Sequence, residues 1–242
     1  MKILPFLAAG LVFGGSISGA RAQAPAAGQS GADMQVNIQS LVEGRPASLP
    51  TGSAELKGSP YAIDRWLPGH LVLASKVRLA PVPLKYDVLG QRLLMRHDFK
   101  ARDSLQLNDR QVVRFTLEEP ATALTPARTR TFERFSDAPE PRHRAAYAEV
   151  LHQGRYTLLK HYLKTLRKAN TQSAYGDRSY DEIENQTTYY LRRPDASVVP
   201  VKLSLKGFSE AAPDLAATFR QAGPAPKTEA GWAAALTAAD PR

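Results

Sequence analysis

The sequence contains no cysteine. Disulfide bridges, zinc thiolate sites and lipid attachment at an N-terminal cysteine are therefore excluded. Two familiar catalytic signatures are also missing, since no Gly-x-Ser-x-Gly turn presents a serine nucleophile and no glycine-rich loop before a Lys-Ser or Lys-Thr pair cradles a phosphate. The chain must be stabilised by an ordinary apolar core, and no motif in it names a reaction.

Long apolar runs are scarce, and the one that occurs lies at the N-terminus. Lys2 precedes an apolar run over residues 3–20, and the small residues Ala20 and Ala22 stand two apart before Gln23. One positive charge, an apolar stretch and small residues at this spacing are typical of a secretory signal peptide. We expect residues 1–22 to be cleaved off between Ala22 and Gln23, leaving a mature chain without a transmembrane helix.

Acidic residues are fewer than basic ones, and this balance bears on partners. The formal net charge is +9, and it becomes +7 when Lys2 and Arg21 leave with the signal peptide. Such a surplus favours anionic surfaces without naming one. A role in solubility is the alternative explanation of the surplus. The signal peptide predicts a periplasmic or secreted protein that is not a lipoprotein; its partner is not identified, the candidates are an anionic envelope polymer or another envelope protein, and nucleic acid is not expected.

The remaining chain changes character twice. Residues 23–57 are rich in alanine, glycine, serine, glutamine and proline and lack a periodic apolar face, so they are predicted to be mostly a flexible leader. Residues 58–208 show the two-residue alternation of half-buried strands, which predicts an antiparallel β domain. In residues 209–242, apolar residues four apart predict two short helices and a tail.

Two segments show the alternation most clearly. In QVVRFTLEE, the side chains of Val113, Phe115 and Leu117 are predicted to share the buried face of a strand. In SVVPVKLSLKG, apolar residues alternate with polar ones from Val199 to Leu205, and a proline within the run indicates an edge strand. The fold class predicted from these patterns is α+β: a sandwich-like or curved, mainly antiparallel sheet of about ten strands with short C-terminal helices.

The stretch GRYTLLKHYLKTLRKAN, residues 154–170, fits two structures. Its leucines and Tyr162 are spaced as on an amphipathic helix. However, Gly154 separates two runs that both alternate, which is typical of the turn of a hairpin. We predict a hairpin over residues 146–165, and the helix is the alternative.

Five short motifs occur in order along the chain: GSPY, LPG, VPLKYDVLGQRLLMR, EVLHQGRYTLLKHY and TTYYLRRPD, followed by an alternating strand and a helical tail. Together they resemble a family of exported, uncharacterised proteins from Bacteroidetes bacteria. The resemblance covers residues 58–222. It implies a strand-rich exported domain in which EVLHQG and RYTLLK are the arms of a hairpin, and it brings no catalytic residues with it. Lys85-Tyr86-Asp87 departs from the Arg-Tyr-Asn that the family pattern leads us to expect.

Histidines and carboxylates are the residue types that hold metals, but their spacing here is unfavourable. His143, His152 and His161 follow one another at intervals of nine residues. In a hairpin turning at Gln153 and Gly154, His152 lies opposite Arg155 and His161 opposite Ala146, so these two histidines are about 20 Å apart. Single exposed or packed histidines are predicted, with no metal and no cofactor.

Two other groups of polar residues invite a functional hypothesis. Asp181, Glu182 and Glu184 fall in a polar stretch and are predicted to form a solvated acidic loop, with a calcium site or an acid/base pair as the alternatives. Six of the nine tyrosines lie between residues 156 and 190, among basic residues. If these build a stacking surface for a ligand, it comprises Tyr156, Lys160, Tyr162, Tyr189 and Arg192; strand packing and solubility are the alternative.

The function predicted from the sequence is that of a non-catalytic periplasmic or cell-envelope protein with a binding or structural role. One alternative is a module that binds anionic glycan or lipopolysaccharide. The other is a hydrolase whose catalytic residues form no readable motif, which requires a carboxylate of raised pKa in a concave pocket.

Overall fold

The structure is a computed structural model, and it describes residues 42–46, 55–76, 78–79, 81–100, 103–169 and 180–240. The predicted signal peptide, its cleavage site and most of the predicted leader lie outside these residues. Two strands nevertheless fall within the leader range, because residues 42–46 and 56–57 pair with strands of the two sheets. No helix among the described residues has the length and apolar character needed to cross a bilayer.

Thirteen strands occur in the described residues, compared with about ten predicted. They are β1 (Val42–Pro46), β2 (Leu56–Lys57), β3 (Leu67–Gly69), β4 (Leu71–Leu73), β5 (Val82–Asp87), β6 (Arg92–Met95), β7 (Leu105–Leu107), β8 (Val112–Glu119), β9 (Arg128–Arg134), β10 (Tyr147–Gln153), β11 (Thr157–Arg167), β12 (Asp181–Arg192) and β13 (Val198–Val201).

The strands form two sheets. The smaller sheet has the order β1-β7-β6-β5-β3, and the larger one the order β13-β12-β11-β10-β9-β8-β4, with β2 parallel to β12 at its side. Every other pair of neighbours is antiparallel. His70 alone separates β3 from β4, so the chain passes from one sheet to the other within a single extended segment.

The hairpin predicted around Gly154 is confirmed. Strands β10 and β11 pair antiparallel, and β11 continues to pair with β12 along its whole length. The predicted register is wrong, because His152 lies opposite Leu158 and His161 lies opposite Ala148. An irregularity between Val150 and His152 shifts the pairing, and a wider connection replaces the tight turn.

Three short α-helices follow β13, where two were predicted. They are α1 (Leu205–Ala211), α2 (Ala216–Gln221) and α3 (Glu229–Ala239). The strand predicted up to Leu205 ends instead at Val201, since the Ser204 side chain accepts a hydrogen bond from the N–H of Gly207 and so caps α1. The predicted α+β class, with mainly antiparallel sheets and short C-terminal helices, is confirmed at this level.

Two further sequence predictions are corrected by strand pairing. Val113 does not share the buried face with Phe115, because Val112 and Arg114 take consecutive partners on β4 and leave Val113 as a bulge that exposes 39% of its surface. The acidic residues Asp181, Glu182 and Glu184 do not lie in a loop; they begin β12, where Glu184 pairs across the ladder with Thr165.

Two apolar clusters occupy the same face of the larger sheet. One lies against the smaller sheet and includes Phe115 and Phe132, which stack with ring centroids 4.8 Å apart. The other lies under the three helices and includes Val201 and Trp232. A third, smaller cluster on the opposite face lies around Phe135 and Tyr190. The strip of sheet between the first two clusters is where the polar residues of interest are found.

Candidate functional site

Three of the five residues predicted to bind a ligand lie together on that strip. Lys160, Tyr162 and Tyr189 belong to a chain of polar groups that crosses the face of the sheet from β8 to α3, with one or two members from each element. We call this chain the charged row; its members are Glu119, Arg130, Glu149, Lys160, Tyr162, Tyr189 and Glu229.

Glu149 is the centre of the charged row and is sealed from solvent, with 3% of its surface exposed. Arg130 donates from one nitrogen to both carboxylate oxygens, each at 3.1 Å, and the hydroxyl of Tyr162 donates to one of them. Burial raises the pKa of the Glu149 carboxyl, and the bond from Tyr162 and the charge of Arg130 oppose that rise. Burial and the neighbouring Glu149 carboxylate raise the pKa of the Tyr162 hydroxyl.

The basic and aromatic members near the helices are also partnered within the protein. Lys160 Nζ lies 2.6 Å from a carboxylate oxygen of Glu229, and the hydroxyl of Tyr189 donates to the same oxygen at 2.7 Å. Burial, followed by this bond, raises the pKa of Tyr189. The charged row therefore binds α3 to the middle of the sheet, and its cations are neutralised from within.

The other two predicted binding residues lie elsewhere. Tyr156 donates its hydroxyl to Asp214, and burial together with this contact raises its pKa to about 12. Arg192 is on the opposite face, where it pairs with Glu133 at 2.7 Å and with Asp137. The five residues do not form one surface.

A groove of about 810 Å³ opens beside the charged row, at the edge of the larger sheet. Its floor is formed by Val199, Pro200 and Val201 of β13 and by Leu203, and its far wall is α1. The exposed Thr187 and Thr188 of β12 line the near side, just beyond the point where β13 ends. Tyr189 is the one predicted binding residue that lines this groove.

Three cations of the groove differ from those of the charged row in having weak carboxylate partners or none. Arg193 donates to the carbonyl oxygens of Ala211 and Glu210, and it forms no ion pair with a carboxylate of the described residues, although its charge helps to lower the pKa of the nearby Asp195. Lys206 approaches the Glu210 carboxylate only at 3.9 Å on a solvent-exposed surface. No acid within the described ranges forms an ion pair with Lys202. A ligand that supplies negative charge would complete this site.

Sequence reasoning missed two of these cations, Lys202 and Lys206; Arg193 was among the basic residues considered for a ligand surface. Lys202 and Lys206 occupy polar positions of a segment that was predicted to be one strand, where they would be routine solvent-facing residues. The signal that could have indicated the turn is Gly207, a glycine next to the predicted strand. A Cβ atom at this position would lie 2.4 Å from the carbonyl oxygen of Lys202, so only glycine fits there. Glycine at that position permits α1 to fold back closely on the end of β13, and this fold-back creates the groove.

A second groove, of about 430 Å³, lies near the other end of the charged row and is lined by Glu118, Glu119 and Arg128. Glu149, the carboxyl with a raised pKa, lines neither groove. Both of its oxygens are occupied by Arg130 and Tyr162, so it is not placed to exchange a proton with a ligand in either one.

The histidines are arranged differently from the prediction of isolated side chains. His143, from the 3₁₀ helix Pro141–His143, packs against His161 of β11 with ring centroids 4.5 Å apart. Both are buried, at 4% and 2% exposed, and neither ring nitrogen of His143 has a hydrogen-bond partner. Burial, and then the nearby His143, lower the pKa of His161 to about 4.

His152 is separate from this pair. It contacts the Asp240 carboxylate at 3.3 Å and the Thr237 hydroxyl at 3.0 Å, which anchors the end of α3 on the hairpin. In the part of the chain that the structure describes, no group of three or more histidine, aspartate or glutamate side chains is arranged to hold a metal ion.

Comparison with known proteins identifies no relative: no family model matches the chain, and neither a curated protein nor a solved structure shows significant similarity to it.

Proposed function

We propose that this protein is an exported, non-catalytic binding protein of the bacterial cell envelope, and that it holds an anionic ligand in the groove between β13 and α1. The observation that carries the proposal is the imbalance of charge there. Arg193, Lys202 and Lys206 contribute three positive charges to the lining, and Glu210 is the single carboxylate among the lining residues.

The contrast with the rest of the same sheet supports this choice of site. In the charged row, Arg130 and Lys160 are each within hydrogen-bonding distance of a carboxylate. A cation that is already paired gains little by binding an external anion, because the ligand must displace the internal partner. The groove cations need no such exchange, and their charge is available to a ligand.

The floor of the groove indicates what else the ligand carries. Val199, Val201 and Leu203 present apolar surface along the side of β13. An apolar floor with charged groups at the rim fits a ligand that buries an uncharged face and directs acidic groups outward. Both an acidic polysaccharide, through the faces of its sugar rings, and an acidic peptide meet this description.

Binding is favoured over catalysis by the position of the titratable groups. The carboxyl of raised pKa, Glu149, is sealed under Arg130 and Tyr162 and does not line the groove. Glu210, the acid that does line it, is exposed to solvent. Placement in the envelope is supported by the N-terminal apolar run and by the small residues Ala20 and Ala22 that follow it.

The binding part of the proposal is tested by calorimetric titration of the mature chain with oligogalacturonate, using neutral dextran as the uncharged comparison. We expect micromolar affinity for the acidic oligomer that weakens as salt is raised. Reversing two groove charges, with Lys202→Glu and Lys206→Glu together, should weaken binding at least tenfold.

The matched control reverses two exposed lysines on the other side of the molecule, Lys76→Glu with Lys100→Glu, and should change affinity no more than twofold. Equal losses in both double variants would show that net charge alone drives binding, and the groove would not be the site. Export is tested separately: the mass of the protein recovered from the periplasm should correspond to a chain that begins at Gln23.

A further inference from the structure

The edge of the larger sheet is interrupted beside the groove. Strand β12 is covered on one side by β11 along its length, but its other side is shared by two short strands. β13 pairs with residues 189–192, and β2 pairs with Asp181 and Glu182. Among the strands that the structure describes, none pairs with Glu184–Thr188 on that side, and this stretch of five residues is about 17 Å long.

Both neighbours end in ways that keep the gap open. Gly58 has a φ of 91° and lies against Ile183, so the chain leaves the sheet immediately after β2. At the other end, the chain turns away from β13 after Val201 and enters the cap of α1 at Ser204. The exposed segment between these ends lines the groove at its β13 end, through Thr187 and Thr188.

The register of β13 shows which backbone groups of β12 point toward this edge. In an antiparallel pair, directly opposite residues alternate between hydrogen-bonded and non-hydrogen-bonded pairs. Pro200 lies opposite Tyr190 and has no N–H to donate, so the bonded pair next to it is Leu191 with Val199. Odd-numbered residues of β12 therefore direct their backbone groups to the side of β13.

The other end of the strand follows the same alternation. Asp181, also odd-numbered, donates its N–H to the carbonyl oxygen of Glu55 at 2.8 Å, on the side where β2 lies. By this alternation, Asn185 and Thr187 point their N–H and C=O groups into the open stretch. An added strand would find up to four backbone hydrogen-bonding groups there.

The two edge segments differ in their protection against pairing. β13 carries Pro200, which removes a donor and blunts that edge. The open stretch of β12, Glu184–Thr188, contains no proline, lysine or bulge, and its one charged residue, Glu184, is paired with Arg167 of β11. An unprotected edge that adjoins a groove is the arrangement found where extended peptides add to a sheet.

We propose that the ligand of the groove is an extended acidic peptide segment of another envelope protein, which adds as a strand to the open edge of β12 and places its carboxylates beside Lys202, Lys206 and Arg193. This inference rests on the proposed function and names the class of its ligand. The backbone groups of Asn185 and Thr187 supply the affinity that charge alone does not, and they distinguish a peptide from an acidic polysaccharide.

The probe is a fluorescein-labelled octapeptide of alternating valine and glutamate, measured by anisotropy with the full mature chain. We expect micromolar binding. The same octapeptide with alternate backbone amides methylated keeps its charge but cannot complete a β ladder, and should bind at least tenfold more weakly. An alternating valine and lysine octapeptide should not bind measurably.

Two substitutions test the same contact from the protein side. Thr187→Pro removes an N–H that points to the open edge and leaves the bonds between β12 and β11 in place, so it should weaken peptide binding at least tenfold. Thr187→Val keeps the N–H and should stay within twofold of the unmodified protein. Because Thr187 also lines the groove, these two variants are compared with the peptide probe only, and if Thr187→Pro fails to fold, the methylated peptide still decides the question.

The remaining outcomes separate the inference from the proposed function. Equal binding of the methylated and unmethylated peptides, or binding of oligogalacturonate alone, overturns strand addition and leaves the anionic groove standing. Unchanged peptide binding after Lys202→Glu with Lys206→Glu overturns the peptide as the ligand of the groove, and unchanged oligogalacturonate binding in the same double variant overturns the anionic groove itself. If sedimentation shows a dimer that Thr187→Pro dissociates, the edge is occupied by a second copy of this chain and the peptide proposal is wrong.

Discussion

In the charged row, each basic group has an acidic partner from another strand or helix, since Arg130 pairs with Glu149 and Lys160 with Glu229. In the groove, Lys202 follows the end of β13 and Lys206 lies near the start of α1. Glu210 is the sole carboxylate in the lining of the groove. Both regions use lysine, arginine and tyrosine, and Tyr189 belongs to both.

The difference between them is the supply of counter-charge. Buried cations require a partner because the cost of removing a charge from water exceeds what packing returns. Cations at a sheet edge remain hydrated and tolerate being unpaired. Residue type and alternation therefore do not distinguish a structural basic residue from a ligand-binding one. The distinction lies in whether the fold places a carboxylate next to the basic residue.

The largest expected effect comes from removing the central acid of the charged row. Glu149→Ala leaves Arg130 and Tyr162 buried with an incomplete set of partners, and we expect it to lower the free energy of unfolding by about 3 kcal/mol. Urea denaturation followed by tryptophan fluorescence measures this. Glu210→Ala in the groove is the control and should cost about 0.5 kcal/mol or less. Similar losses in the two variants would erase the distinction between the regions.

The paired histidines extend the comparison to interior groups that have no strong counter-charge. Burial against His143 and Phe135 lowers the pKa of His161 from 6.5 to about 4, and Glu140, 3.9 Å from His143, opposes this only weakly. Between these pH values the unfolded chain binds a proton that the folded chain does not. The titration of His161 therefore leaves stability unaffected above pH 6.5 and lowers the free energy of unfolding as the pH falls toward 4.

The expected size of this loss is on the order of 2 kcal/mol. His161→Phe removes the titrating group and keeps an aromatic ring against Phe135, so the slope of stability against pH between 6.5 and 4 should be smaller in the variant. Chemical denaturation at a series of pH values measures both slopes. Identical slopes would mean that the acid sensitivity of the protein lies in its carboxylates instead.

Where local signals agree with packing, the sequence predicts the fold well. Alternation on both sides of Gly154 predicts the hairpin that the structure contains, and Pro200 predicts an edge strand that is indeed at the edge. Prediction fails where alternation persists beyond the strand. Leu203 and Leu205 continue the pattern of β13, but the cap at Ser204 and the close packing of Gly207 turn the chain into a helix.

The candidate site was less predictable for a physical reason. Lys160 and Glu229 are joined across 69 positions of the sequence, and Arg130 reaches Glu149 from the next strand. No local pattern indicates which acids the topology will place beside which bases. The sequence analysis grouped Tyr189 with Lys160 in one candidate surface, and the two residues lie opposite each other on paired strands. The bond of Tyr189 to Glu229, however, depends on a helix from the far end of the chain.

A smaller effect is expected where the groove is built. Ser204→Ala removes the cap of α1 and leaves the N–H of Gly207 without its side-chain acceptor, which should cost about 1 kcal/mol of stability. Ser209→Ala, within the same helix, is the matched control and should change stability by only a few tenths of a kcal/mol. If both variants are equally stable, the cap does not hold α1 as the wall of the groove. The difference between the groove and the charged row would then lie in their charges alone.

The smallest change in stability is expected from neutralising a groove cation, and this comparison separates the two regions most cleanly. Lys202→Met should alter the free energy of unfolding by a few tenths of a kcal/mol, whereas Lys160→Met should lower it by about 1 kcal/mol because Glu229 loses a partner. Binding of oligogalacturonate should show the reverse order, with a several-fold loss for Lys202→Met and none for Lys160→Met. Calorimetric titration and urea denaturation of the same samples measure both quantities. Lys160→Met would then lose stability but not binding, and Lys202→Met would lose binding but not stability. A general effect of reduced net charge cannot produce this result, because both variants lose the same single charge.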